Sequence, residues 1–186
     1  RDPAAWIDRF AAAAAQIDPQ RLAPVAQARF FQAITLAYAG RRREAILSLG
    51  SLEPPAPGLV DTRFTRALAA ATIIAMVGAS FAEADRLGTL LDRFARPAGL
   101  DISLGWGLIT RANSARARGD IDATIAICSE IVRLADRPLL AVAREAVFLL
   151  AAAFQQTGRY DQAISTLDRF EEVVVAYGVP YHLPSI

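Results

Sequence analysis

The residue types that could do chemistry are few in this chain, and their spacing does not suit it. The one His, His182, lies in the stretch "PYHLPSI" with no plausible Cys or Ser neighbour to activate. The one Cys, Cys128, sits three residues from both Ile125 and Ile131. That spacing puts it on the packed face of a helix, where a thiol acts as a small hydrophobe, and a single Cys excludes an internal disulfide. Glu171 and Glu172 are adjacent, so on a helix they point about 100° apart and do not form a catalytic pair. "GWG" (Gly105 to Gly107) lacks the spacing of a phosphate loop. No Cys or His cluster offers zinc ligands. The expectation is a non-enzymatic chain with no catalytic residues, no metal site and no cofactor.

Charge points away from nucleic acid. Of the 186 residues, 21% are charged, and the formal net charge is only +1, too weak a field to imply direct nucleic-acid binding or an anionic membrane. The basic residues apart from His182 are all Arg, which fits a coding bias. "RRR" (Arg41 to Arg43) is short and is followed directly by Glu44, so it reads as a solvated turn. The longest uncharged run, Ala67 to Ala82, is sixteen residues. A membrane-spanning helix needs roughly 20, so a buried helix is expected and no membrane insertion. The chain starts at Arg1 and shows no signal segment. It is expected to be an excised piece of a longer protein or a processed chain, with a cytoplasmic location.

Hydrophobic residues make up 54%, much of it Ala, the best helix former, and β-branched residues are scattered. The fold class is therefore all-α. Four stretches align: "AYAGRRREAILSL" from Ala37, "MVGASFAEADRLG" from Met76, "ARARGDIDATIAIC" from Ala115 and "QQTGRYDQAISTL" from Gln155. Their turn positions Gly40, Ala79, Gly119 and Gly158 are 39, 40 and 39 residues apart. Five residues after each comes Ala45, Ala84, Thr124 or Ala163. Gly adopts the left-handed conformation cheaply and ends one helix, and a small residue five positions on lets the next helix approach it. One such hairpin cannot bury its apolar side alone, so neighbours must stack. The predicted helices are about Pro3–Ile17, then the pairs Pro24–Ala39 with Arg42–Leu52, Asp61–Val77 with Ser80–Arg93, Ser103–Arg118 with Ile121–Ala135, and Pro138–Gln156 with Tyr160–Ala176. "EPPAPG" (Glu53 to Gly58), "RPAG" (Arg96 to Gly99), "DRP" (Asp136 to Pro138) and "YGVP" (Tyr177 to Pro180) separate the pairs.

This pattern resembles the tetratricopeptide (TPR-like) helical repeat in its long-period bacterial form, over roughly Pro24 to Tyr177. The last unit matches best, through Ala151, Phe154, Gly158, Tyr160, Ala163 and Leu167. Departures are Ala79 for the turn Gly, Gly88 where a large apolar residue is usual, Arg111 at an apolar position and Thr124 at the small one. The resemblance implies a single domain, a right-handed superhelical α-solenoid of about nine helices. It would comprise an N-terminal capping helix (1–20), repeats at 24–57, 61–97, 103–137 and 138–177, and a tail (178–186). It also implies a concave groove lined by the first helix of each pair. Transferred residue by residue, the lining is Gln27, Phe30, Ile34 and Tyr38; Arg66, Ile73 and Met76; Trp106, Ile109, Asn113 and Arg116; and Glu145, Phe148, Gln155 and Gln156. Such a face suits a peptide or protein partner. Amides bond its backbone, Arg takes a carboxylate, and rings hold its side chains. Asn113 and Arg116, three apart, resemble a carboxylate grip, with Arg in place of the usual Lys. The alternative expectation is a regulatory or effector-sensing domain of a larger bacterial transcription regulator or signalling protein. Val173 to Val175 and Ala176 on the last helix also suggest a homodimer through that end.

Overall fold

The computed structural model describes residues 22–50, 62–134 and 140–176. The predicted helix Pro3–Ile17, the segments "EPPAPG", "DRP" and "YGVP", the tail with His182, and the side chain of Gln27 lie outside the described residues. Within them the chain forms eight helices and no strand. They are α1 (Leu22–Tyr38), α2 (Arg42–Leu49), α3 (Thr62–Val77), α4 (Phe81–Ala95), α5 (Asp101–Ala117), α6 (Ile121–Leu134), α7 (Leu140–Gln156) and α8 (Tyr160–Ala176). Most predicted ends agree to within two residues. α2 stops at Leu49, three residues early, where Gly50 turns the chain at φ 75°.

One local device makes all four tight turns between pair members. Gly40, Ala79, Gly119 and Gly158 have φ of 78°, 55°, 76° and 74°. Each donates its N–H to the carbonyl three residues back, and the next residue donates to the carbonyl five back: Gly40 to Ala37 with Arg41 to Leu36, through Gly158 to Gln155 with Arg159 to Phe154. Two of the carbonyls a helix end leaves unsatisfied are thereby bonded. The residue that completes the turn then opens the following helix. Arg41, Ser80, Asp120 and Arg159 accept from the N–H of Ala45, Ala84, Thr124 and Ala163. Among these four, Asp120 also caps through its side chain, its Oδ1 accepting from the Ala123 N–H at 3.0 Å. The small residues at the fifth position pack as expected. Ala45, Ala84 and Thr124 are fully buried, and Ala163 is half-buried against the core.

Each helix packs against the next, from α1–α2 through α3–α4, α4–α5, α5–α6, α6–α7 and α7–α8, and α2 also reaches α3. In addition α1 packs on α3, α3 on α5 and α5 on α7. A single buried cluster runs the length of this array, from Phe30 and Ala33 through Leu68, Ile73, Leu91, Leu108 and Ile131 to Phe154. A smaller one joins Ala143 and Val147 of α7 to Phe170 and Val174 of α8.

Two departures from the repeat pattern compensate each other at the α4–α5 contact. A Cβ on Gly88 would sit 2.9 Å from the Gly107 carbonyl oxygen and 2.7 Å from Cγ of Arg111. The missing side chain therefore lets the two helices close on each other and leaves room for the stem of Arg111. The Arg111 guanidinium meets Asp92 at 3.2 Å and Asp85 at 3.7 Å, residues that flank Gly88 along α4. Arg96 extends the network, pairing with Asp92 at 2.7 Å and with Glu130 of α6 at 2.8 Å. Arg118 reaches Asp85 at 3.5 Å. Charge fills a position that apolar packing usually takes, because its neighbour gave up a side chain.

Ala79 holds a left-handed conformation without the freedom of Gly. Relieving that strain is worth about 1–2 kcal/mol, and the looser unfolded chain takes back about 0.4–1. Ala79→Gly should therefore stabilise by about 0.5–1 kcal/mol in urea denaturation. A loss of stability would contradict the turn geometry. Gly88→Ala sets a helix-propensity gain of about 1 kcal/mol against an overpacking cost of about 1–3 kcal/mol. The steric term should win, because a backbone oxygen cannot rotate away. The expected result is a net loss with a lower thermal midpoint.

Candidate functional site

The sequence assigns recognition to the first helix of each pair, α1, α3, α5 and α7, and these are the helices that pack in order on one another. Several assigned residues belong to the core instead of a groove. Phe30 (5% exposed), Ile73 (1%) and Ile109 (0%) are buried. Ile34 and Met76 are half-buried against the same cluster. The physical reason is the side-by-side packing itself. A stripe of side chains on a helix that touches a neighbour on each flank loses its flanking members to those contacts, and only its crest remains open.

The crest is aromatic and polar. Tyr38 closes α1 and is 64% exposed, and Phe148 on α7 is 40% exposed. Arg116, Gln155 and Gln156 are exposed, while Arg66, Trp106, Asn113 and Glu145 are half-buried. The Trp106 ring lies 6.1 Å from that of Phe30, although their helices, α1 and α5, flank α3. Phe30 also meets Phe31 edge-on at 5.4 Å. Rings of α1 and α5 therefore meet although both helices pack on α3. Arg66 lines a separate cleft of about 250 Å³ with Thr65 and the start of α5, Gly99 to Ser103.

Asn113 and Arg116 do share a face one turn apart, but no hydrogen bond joins them. The Asn113 Nδ2 donates to the Ile109 carbonyl of its own helix at 3.0 Å. One amide hydrogen and the side-chain oxygen remain for a ligand. Arg116 stands in the last turn of α5, where the helix dipole favours a cation. Burial, and then the Glu145 charge, raise the Tyr38 phenol above its ordinary value. Burial also raises the Glu145 carboxyl, with the Arg144 charge opposing.

Two exposed residues on these helices were missed. Phe31 (49% exposed) stands three residues before Ile34 and seven before Tyr38, and Ile102 (40%) stands four before Trp106. Both spacings put them on the stripe that the sequence assigns to recognition. The spacing 27-31-34-38 is as helical as 27-30-34-38, so periodicity alone did not separate Phe31 from Phe30.

The remaining candidates fall into place as structure. Arg41 pairs with Glu44 at 2.6 Å. Arg42 lies across Gly78 and donates to Ser80 Oγ at 3.1 Å, tying the first turn to the second. Cys128 is fully buried, and burial pushes its thiol up to about 12, so it stays a neutral packing group. On α8, Val174 is buried and Val173 half-buried against α7. Of the predicted apolar run, Val175 and Ala176 stay exposed, with Tyr160 and Ile164 farther along the helix. No described helix is long and apolar enough to cross a membrane. Among the described residues no group of three His, Cys, Asp or Glu could hold a metal ion. No family model, curated protein or solved structure matches the chain.

The raised carboxyl gives a signed expectation. The folded state holds the Glu145 proton to higher pH than the unfolded chain does. The stability linked to this group is therefore fully present below the ordinary Glu range and is lost as pH rises through the raised value. Glu145→Gln should melt at a higher temperature than the parent near pH 7.5 (about three units above an ordinary Glu), and the gap should close near pH 4. Equal melting curves at both pH values would show that the carboxylate is not desolvated.

Proposed function

We propose that the chain is a non-enzymatic scaffold: a TPR-like α-solenoid whose stacked helix pairs form a right-handed superhelix and present one face to a protein or peptide. The order of packing carries this reading. α1, α3, α5 and α7 touch in succession, while α2, α4 and α6 each link two of them. A helix pair that contacts only its neighbours is the building rule of stacked repeats, and such stacks gain an extended recognition surface from the small rotation per unit. The chain's own turn geometry, repeated near every fortieth residue, supports the same arrangement.

The crest chemistry supports a peptide. Asn113, Gln155 and Gln156 can bond a main chain, Arg116 can take a carboxylate by two parallel hydrogen bonds, and Tyr38, Phe31 and Phe148 offer rigid rings that gain area at low entropic cost. The partner expected is an extended peptide or an exposed protein segment.

Random-peptide display against the full chain tests this. Selected peptides should lose about tenfold in affinity on Phe148→Ala or Arg116→Ala. Leu47→Ala, on an exposed position of α2, should leave them unchanged. Peptides whose affinity responds to Leu47 and not to Phe148 would move recognition off the proposed face.

A further inference from the structure

The pairs share one register, so a residue in one pair has counterparts in the others at the same distance from Gly40, Ala79, Gly119 or Gly158. Burial compared along that register marks two flanks. The first is on α8: Tyr160, Ala163, Ile164, Leu167, Asp168 and Glu171. Each is more exposed than both of its counterparts on α4 and α6. Steps of three and four residues place all six on one side of the helix. On α4 that side meets α5, through Asp85, Gly88 and Asp92. On α6 it meets α7, where Val132 packs with Ala143 and Val147. α8 itself packs on α7.

The second flank is on α1. Arg29 stands where the later pairs have Leu68, Leu108 and Val147, and Thr35 stands where they have Ile74, Ser114 and Ala153. All six counterparts are buried, while Arg29 is exposed and Thr35 half-buried. The two flanks are thus the two halves of a contact that the chain makes within itself. In the α4–α5 contact Gly88 lies against Gly107, and Asp92 takes Arg111. The counterparts of Gly88 and Asp92 on α8 are Leu167 and Glu171, and those of Gly107 and Arg111 on α1 are Ala28 and Gln32. An α1 laid on α8 in that register sets a large residue against a small one and an amide against a carboxylate.

Charge selects the same pairing. α1, α2 and the turn between them carry Arg29, Arg41, Arg42 and Arg43 against one acid, Glu44. α8 carries Asp161, Asp168, Glu171 and Glu172 against one base, Arg169. Among the described residues neither Arg29 nor any of the four α8 acids makes an ion pair. Two α8 helices laid together would bring acid against acid, whereas α1 on α8 brings base against acid.

We propose that the chain joins copies of itself front to back, the α1 flank of one copy lying on the α8 flank of the next with Arg29 against Asp168 and Glu171. The joint uses a different surface on each partner, so it does not close at two copies. The inference rests on the stacking of the pairs and not on what their recognition face binds.

Sedimentation velocity of the full chain from low to high micromolar concentration tests it. The average mass should rise past that of a dimer, and added salt should lower it. Arg29→Glu should weaken association about tenfold, and so should Asp168→Arg combined with Glu171→Arg. All three positions are exposed, and circular dichroism should show both variants folded. Mixing the two variants should restore the large species, because each then meets its opposite charge. A single monomeric mass at every concentration would overturn the joint. So would association that ends at two copies and ignores Arg29→Glu, which would assign the contact to α8 on α8. If display-selected peptides still depend on Phe148 and Arg116 in either case, the peptide-binding reading survives without the joint.

Discussion

Everything in this fold depends on one backbone event: a single residue at positive φ ends a helix, and the residue after it gives the next helix its first carbonyl. The two hydrogen bonds that close the turn satisfy the outgoing helix. The residue that donates the second of them accepts the first bond of the incoming helix. No linker residues are left over, so the angle between the members of a pair is set by local geometry. The small residue at the fifth position then decides how closely they approach. Ala39 to Ala45, Gly78 to Ala84, Arg118 to Thr124 and Thr157 to Ala163 are variations on that same seven-residue passage.

Once the pairs are formed, side-chain volume determines how they lie against each other. The α4–α5 contact illustrates the rule. Gly88 and Arg111 each look misplaced against the repeat pattern, and together they form one fitted contact in which a charged stem occupies the space a missing side chain left. The network from Arg111 through Asp85, Asp92 and Arg96 to Glu130 ties three helices across the middle of the chain. Its members are partly solvated, so its worth is in orientation more than in stability.

The proposed recognition face follows from the same packing. Helices that touch on both flanks surrender the edges of their stripe to the core and keep only the crest. That is why Ile73 and Ile109 disappear inside while Tyr38, Phe148 and Arg116 remain outside. It is also why Trp106 is found over Phe30: when the first and third members of a row meet across the second, the largest rings fill the gap. What survives on the crest is a short list of rings, amides and opposite charges.

The turns, the helices and their ends were legible in the chain because they rest on short-range physics. Left-handed residues, capping bonds and a 3.6-residue apolar period all act within a few positions of one another, and even Ala79 declared itself through its place in the series. The members of the crest were legible as a stripe, but the choice between Phe30 and Phe31 was not, since both positions fit the helical period. Nor could spacing show that Arg111 answers Gly88 across two helices, or that Arg42 reaches the next turn. Those facts depend on how far each pair rotates on its neighbour. That rotation is decided by the summed volumes of side chains distant in sequence, which no local period records.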